Sequence, residues 1–133
     1  MAKALMRGRH VLVVDDDPYI RRLATVVLEH HGLTVYSAGD GEQALTVAMA
    51  TPVDVVLLDV SMPILDGPGF VEALRNNHLN LPIVVMSGIL GANDWARAID
   101  AVATLFKPFS MSELLAVVQG ALARAALVDS RSI

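Results

Sequence analysis

The sequence predicts an α/β protein in which a five-stranded parallel sheet is doubly wound and accompanied by five helices. Short apolar runs of strand length alternate along the chain with segments whose apolar residues recur every three or four positions. The strand-like runs are apolar at nearly every position, as expected of strands that helices cover on both faces. Alternation of this kind is typical of βα units that share one parallel sheet.

Capping residues locate the starts of the helices. Asp17, followed by a proline, has the features of an N-cap with proline at the first helical position. Asp40 with Gln43, and Ser110 with Glu113, match the capping-box pattern. The predicted strands are 10–14, 34–38, 53–59, 82–87 and 104–107, and the predicted helices are 18–31, 40–50, 67–76, 93–101 and 110–122.

These elements indicate one domain at residues 10–125, preceded by an N-terminal arm at 1–9 and followed by a C-terminal tail at 126–133. A length of 133 residues is that of one ordinary domain with one core. No linker, internal repeat or low-complexity segment interrupts the pattern.

Composition excludes several classes of protein. With 54% hydrophobic and 18% charged residues, the chain is too apolar to be disordered. No apolar run reaches the roughly 20 residues that span a bilayer, and the short apolar stretch near the N-terminus is unlike a signal peptide. We therefore expect a cytoplasmic protein without a membrane partner. A net charge of −4 and the absence of a basic stripe argue against nucleic acid as a partner of this chain.

Polar side chains collect where the predicted strands end. Asp15 and Asp16 follow the first strand, Asp59 ends the third, Ser87 ends the fourth and Lys107 ends the fifth. In an open parallel sheet, ligands bind outside the carboxyl ends of the strands. The sequence therefore predicts that these groups form one site.

The chemistry of this group of residues suggests phosphoryl transfer. Three clustered carboxylates repel one another, and a divalent cation offsets that repulsion. Oxygen ligands without histidine or cysteine favour Mg²⁺. With a metal and the Lys107 ammonium to neutralise phosphoryl oxygens, an aspartate can act as a nucleophile, and Asp59 is the central candidate.

Four motifs give the chain a family resemblance. In order, "VLVVDDDP", "LLDVSMPILDG", "VVMSG" and "FKPF" resemble the response-regulator receiver domain of two-component signalling, of the chemotaxis-receiver type, over about residues 10–125. The resemblance implies a flavodoxin-like sheet with strand order 2-1-3-4-5. It also implies a phosphoacceptor that a histidine kinase or phosphotransfer protein phosphorylates in a phosphorelay, and that then switches its interaction with a downstream target protein. Such a domain is not an enzyme in the ordinary sense, although it assists its own phosphorylation and dephosphorylation.

The resemblance also assigns roles to individual residues. Asp59 corresponds to the phosphorylated aspartate. The implied Mg²⁺ ligands are Asp15, Asp16, Asp59 and the backbone carbonyl of Ser61, and the implied phosphoryl contacts are Ser87, Gly88 and Lys107. Gly88, which has no side chain, would leave room for the phosphoryl group.

One position departs from the family pattern. Three residues before the lysine the family usually has an aromatic switch residue, and here that position is Thr104. The stretch between Ser87 and Lys107 is also about two residues shorter than usual. Strand alternation places Phe106 on the same face as Thr104, which makes it an alternative switch residue. We expect instead that the loop "SGILGAND", which leads to Trp95, reports phosphorylation.

Several alternatives remain open from the sequence. The chain could be a degenerate receiver that acts as a phosphorylation-independent scaffold, or a receiver fragment of a larger regulator or hybrid kinase. A flavodoxin-like cofactor binder is disfavoured because three aspartates follow the first strand, where a flavin phosphate would be repelled. An aspartyl phosphohydrolase is disfavoured because Ser61 stands where a second aspartate is expected.

Overall fold

The sheet has five parallel strands in the order β2-β1-β3-β4-β5. The computed structural model describes residues 6–60, 67–88, 97 and 99–131, with the side chains of 67–68 and 127–131 excepted. The strands are β1 (His10–Val14), β2 (Thr34–Ala38), β3 (Val55–Asp59), β4 (Ile83–Ser87) and β5 (Ala103–Phe106). The predicted α/β class and strand order are confirmed.

Helices cover both faces of this sheet. Within the described part of the chain four helices can be followed from end to end: α1 (Pro18–His30), α2 (Gly41–Ala50), α3 (Gly67–Asn76) and α4 (Met111–Arg131). The buried residues of α1 and α4 pack on one face, and those of α2 and α3 pack on the other. Among the described residues, no helix combines the length and the apolar composition that crossing a bilayer requires.

Burial on both faces explains the apolar strand runs. Every residue of β3 and β4 is buried, as are the last four of β1. Alternate residues point to opposite faces, so Val11 and Val13 join the core under α1 and α4, whereas Leu12 and Val14 join the core under α2 and α3.

The helix caps that the sequence predicts are present. The carboxylate of Asp17 accepts a hydrogen bond from Tyr19 N, and that of Asp40 accepts one from Gln43 N. Ser110 Oγ accepts from Glu113 N, and Glu113 Oε1 accepts from Ser110 N, which completes a reciprocal capping box. These caps fix the points at which α1, α2 and α4 leave the sheet.

Some predicted boundaries differ from the structure. β3 begins at Val55 instead of residue 53. Just before the strand pairing starts, Asp54 Oδ2 accepts a hydrogen bond from His10 N, so a side chain takes the place of a backbone partner there, and Asp54 N donates to His10 O. β4 begins one residue later than predicted, and β5 covers 103–106 instead of 104–107.

The last helix is longer than predicted. It continues to Arg131, so the segment predicted as a C-terminal tail is helical over residues 126–131. The alanine-rich stretch "GALARAAL" has high helix propensity, and neither glycine nor proline follows it to stop the helix.

The predicted fifth helix at 93–101 lies mostly outside the described residues. Arg97 is helical, and Ile99 and Asp100 form a turn in which Asp100 has φ of 56°. In the predicted N-terminal arm, Met6 is fully buried in the core under α1 and α4. The sequence pattern gave no signal for that contact, because a lone methionine outside any periodic run carries none.

Candidate functional site

Three buried polar side chains meet at the carboxyl edge of the sheet. Asp15 follows β1, Asp59 ends β3 and Ser87 ends β4, and these three strands are neighbours. The residues are 0%, 1% and 0% exposed, and they are the buried polar or charged residues of the described chain. Buried carboxylates require compensation by hydrogen bonds or opposite charge, so their partners define the site.

Asp15 is held from several directions. Its Oδ1 accepts a hydrogen bond from Asp17 N at 2.9 Å, and its Oδ2 accepts one from Lys107 Nζ at 2.7 Å. Its backbone N–H donates to Ala38 O, and its backbone carbonyl accepts from Arg21 Nη1 at 2.8 Å. Both the main chain and the carboxylate are therefore fixed in position before any ligand binds.

Arg21 helps to position Asp15, and the sequence motifs did not predict this role. It lies four residues after the N-cap Asp17, on the first turn of α1, and its guanidinium reaches back to the turn that carries Asp15. A basic residue at this offset is common on exposed helix faces, so the sequence alone did not distinguish its role.

Lys107 supplies the positive charge of the site. Its Nζ lies 2.7 Å from Asp15 Oδ2 and 3.3 Å from Asp59 Oδ2. Its backbone N–H donates to Ser87 O at 2.9 Å, which joins the fifth strand's end to the fourth's. The side chain of Lys107 thus contacts two acidic residues, and its backbone is hydrogen-bonded to Ser87, the residue predicted to supply the hydroxyl.

Burial and charge shift the pKa values of this pair. Burial raises the pKa of the Asp15 carboxyl above its ordinary value, and the hydrogen bonds from Lys107 and Asp17 only partly offset this effect. Burial tends to lower the pKa of Lys107, but its hydrogen bonds and attraction to Asp15 and Asp59 outweigh burial, so the pKa is raised. The site thus favours the charged form of Lys107 and makes ionisation of Asp15 less favourable than that of an exposed aspartate.

The carboxylates form a group that fits a divalent metal. Asp15, Asp16 and Asp59 each offer an oxygen, and these oxygens lie within 4.8 Å of one another. Asp16 is exposed, which leaves the group open to solvent on one side. Three carboxylates faced by one lysine leave a net negative charge, and hard oxygen donors of this kind suit Mg²⁺.

The structure brings together four of the residues predicted for the site: Asp15, Asp16, Asp59 and Lys107. Ser87 ends the strand next to Asp59. A Cβ built on Gly88 would lie 3.6 Å from Lys107 Cβ, so a side chain there would point toward the lysine stem. Ser61 and Trp95 lie outside the described residues.

Thr104, at the position where the family usually has an aromatic switch residue, is partly buried. Thr104 pairs in register with Val85, and Phe106, two residues on, pairs with Ser87. Phe106 is 54% exposed. An aromatic residue therefore pairs with the predicted phosphoryl-binding serine, two register positions beyond position 104.

Comparison with known protein families agrees with this geometry. Residues 11–119 match the family described as the response regulator receiver domain. The chain belongs to the response regulator receiver family. The match includes β2 to β5, all of β1 except His10, and the acidic, hydroxyl and lysine positions discussed above.

Curated relatives are regulators of about twice this length. The transcriptional regulatory protein KdpE of Mycobacterium tuberculosis is 38% identical over 116 residues, which are 86% of this chain and 51% of that protein. The response regulator MprA of Mycobacterium ulcerans is 37% identical over 124 residues, which are 92% of this chain and 53% of that protein. The receiver thus spans about half the length of these relatives.

Solved structures show the same fold. The chemotaxis protein CheY4 of Vibrio cholerae superposes with a TM-score of 0.79 at 32% identity, covering 86% of this chain and 98% of that one. NtrX from Brucella abortus, solved in complex with ADP, superposes with a TM-score of 0.84 at 29% identity, covering 94% of this chain and 29% of that one. The receiver fold therefore occurs in these structures both as nearly a whole chain and as part of a longer one.

Asp16→Asn should weaken Mg²⁺ binding without harming the fold. The substitution removes one negative charge from the predicted metal site, on an exposed side chain, so the rise in Tm that Mg²⁺ produces should fall to less than half. The metal-free Tm should stay the same or rise because repulsion among the carboxylates is relieved. Thermal melts with and without Mg²⁺ measure both effects.

The matched control for this prediction is Asp17→Asn. It changes the neighbouring residue in the same way, and asparagine caps a helix as well as aspartate does. Asp17→Asn should keep the full Mg²⁺-induced rise in Tm. An undiminished rise in Asp16→Asn would remove Asp16 from the ligand set.

Proposed function

We propose that this receiver accepts a phosphoryl group on Asp59 from a histidine kinase or phosphotransfer protein and passes its state to a protein partner. The observation that carries the proposal is the buried carboxylate of Asp59 at the end of β3, 3.3 Å from Lys107 Nζ and within 4.8 Å of two further carboxylates. A buried acid with such neighbours is suited to take up and hold a charged group.

In the proposed reaction an oxygen of Asp59 forms a bond to phosphorus as the bond from phosphorus to the donor histidine breaks. The electron pair stays on the imidazole nitrogen. Asp15, Asp16 and the Ser61 carbonyl would hold Mg²⁺, which when bound neutralises charge on the transferring phosphoryl oxygens. Lys107 would approach the same group from the other side, and the Ser87 hydroxyl would donate to one of its oxygens.

The two buried carboxylates, Asp15 and Asp59, favour this function over that of a phosphorylation-independent scaffold. A scaffold needs a stable surface and has no use for two carboxylates buried at one strand edge. Removing ions from water costs several kcal/mol each, about as much as a whole domain's margin of stability when two are involved. The cost of this arrangement to stability therefore supports a role in chemistry.

The test of the proposal is the intact mass of the chain after incubation with acetyl phosphate. With Mg²⁺ present, the chain should gain one phosphoryl group. With EDTA in place of Mg²⁺ it should gain none, because the acidic cluster repels the donor. Absence of the adduct under both conditions would count against the proposed acceptor role.

Ser87 should couple phosphorylation to the loop that follows it. In this proposal the phosphoryl group draws the Ser87 hydroxyl inward, and the glycine-bearing loop at 87–94 rearranges. We expect Mg²⁺ with beryllofluoride, a phosphoryl mimic, to change the emission of Trp95, the chain's single tryptophan. Ser87→Ala should reduce this change, whereas Thr104→Ala should hardly affect it.

Phe106→Ala distinguishes the two ways in which the switch could work. If the loop alone responds, the variant should keep the full change in Trp95 emission. A response lost in Phe106→Ala but kept in Thr104→Ala would assign the switch to the aromatic residue beside Ser87. A response of full size in Ser87→Ala would overturn the coupling through the hydroxyl.

A further inference from the structure

A cavity opens at the edge of the sheet opposite to the acidic cluster, and we call it the amino-end cavity. Its volume is about 450 Å³, and residues just before β3, β4 and β5 line it together with the later turns of α3 and α4. β3 runs five residues from this edge to Asp59, a separation of roughly 13 Å at about 3.3 Å per residue step. The amino-end cavity is therefore distinct from the phosphoacceptor site.

The size of the amino-end cavity fits a small molecule. Pockets that bind drug-sized ligands and cofactors measure roughly 300–1,000 Å³ and combine apolar walls with a few polar groups. Here the apolar part of the lining includes Leu74, Ile83, Ile99 and Val102. Leu74, Ile83 and Ile99 are buried parts of the core, so this wall is already formed without a ligand.

The charged part of the lining is predominantly basic. Arg9, Arg75 and Arg124 line the cavity with two aspartates, Asp54 and Asp100. Arg9 Nη1 lies 3.6 Å from Asp54 Oδ1, which accounts for one charge of each sign. Within the described part of the chain, neither Arg75 nor Arg124 forms an ion pair, so these two arginines outnumber the remaining carboxylate, that of Asp100, and leave the lining with a net positive charge.

We propose that the amino-end cavity binds a small organic anion, with a carboxylate or phosphate head at Arg75 and Arg124 and an apolar body against the buried wall. Guanidinium groups bind these heads through paired hydrogen bonds. The apolar body would cover the lining residues that are only partly buried, Leu79, Leu81 and Val102, which adds hydrophobic binding energy. The head alone or the body alone should bind less well.

Four compounds test this proposal in NMR titrations of the full ¹⁵N-labelled chain in EDTA. They are 3-phenylpropionate, phenyl phosphate, the uncharged 3-phenylpropanol and inorganic phosphate. We expect at least one of the two aromatic anions to shift the amides of residues 79–81, 83, 100–102 and 121–125 saturably. The alcohol and inorganic phosphate should bind at least tenfold more weakly, and the stronger of the two anions identifies the preferred head group.

Substitutions separate binding in the cavity from adventitious contact. Arg75→Gln and Arg124→Gln should each weaken binding by about tenfold, as expected when a charge-assisted hydrogen bond is lost. Both arginines are exposed, so the variants should fold. Ala125→Leu should also weaken binding by filling the cavity. The matched control is Arg22→Gln, which removes an exposed arginine from α1, away from the cavity, and should leave binding unchanged.

Three results would overturn the proposal. The first is the absence of saturable shifts with both aromatic anions. The second is equal binding of the alcohol, which would remove the role of the arginines. The third is a set of shifts centred on residues 15, 59 and 87, which would place the anion at the phosphoacceptor site. Since all titrations omit divalent metal and a phosphodonor, failure here leaves the phosphorylation proposal intact.

Discussion

Asp59→Asn should abolish phosphorylation while the folded domain persists. In acetyl phosphate and Mg²⁺, the intact mass of the variant should stay at that of the unmodified chain, because an amide oxygen is a far weaker nucleophile than a carboxylate. The substitution keeps the shape of a side chain that is 2% exposed and removes one of two mutually repelling buried charges. The metal-free Tm should therefore not fall by more than about 2 °C, and relief of repulsion could raise it.

Asp54→Asn is the matched control for this loss. Asp54 lies just before the same strand, at its opposite end, and its carboxylate accepts a hydrogen bond from His10 N that an asparagine oxygen can also accept. Asp54→Asn should gain one phosphoryl group as the wild type does. If Asp59→Asn gains a phosphoryl group at the wild-type rate, the acceptor lies elsewhere and the assignment of Asp59 is wrong.

The site could be predicted from the sequence because parallel strands bring their carboxyl ends to one edge. Asp15, Asp59 and Lys107 are far apart in the chain, yet each follows or ends a recognisable strand. Once the sheet is inferred, topology places them together. The helix caps could be predicted for a different reason. Asp17, Asp40 and Ser110 each bond a backbone N–H within one helical turn, so the local sequence is sufficient.

Contacts that depend on tertiary packing could not be predicted in this way. Arg21 bonds the carbonyl of Asp15, and Met6 enters the core from the predicted arm, but neither belongs to a local pattern. The amino-end cavity likewise depends on how α3 and α4 end beside three loops. The end of α4 was misjudged because the apolar helical pattern was followed only to Leu122, although helix propensity continues beyond it.

Lys107→Met should destabilise the metal-free protein by about 3 kcal/mol, measured as the free energy of unfolding in urea at pH 7. Methionine keeps most of the apolar stem but removes the ammonium that lies 2.7 Å from Asp15 and 3.3 Å from Asp59. Breaking a buried ion pair leaves uncompensated charge and typically costs about 3–5 kcal/mol. The lower end applies because the lysine side chain is 21% exposed.

The pH dependence of this loss follows from the two ionisations. The pKa of Lys107 is raised in the folded state, so the stability it adds is present below its ordinary value of 10.5 and is lost as pH rises through the raised value. The cost of Lys107→Met should also shrink as pH falls toward 3.8, the ordinary pKa of an aspartate, because Asp15, with its raised pKa, takes up a proton.

Second substitutions identify the cause of the destabilisation. Lys107→Met combined with Asp15→Asn should recover more than half of the lost free energy, because the charge that the lysine compensates is gone. Mg²⁺ should restore part of it for the same electrostatic reason. Arg22→Met, which removes an exposed cation from α1, should change the free energy of unfolding by less than about 0.5 kcal/mol. A loss as small as this in Lys107→Met would mean that the two carboxylates do not depend on the lysine, and the electrostatic account of the site would have to be abandoned.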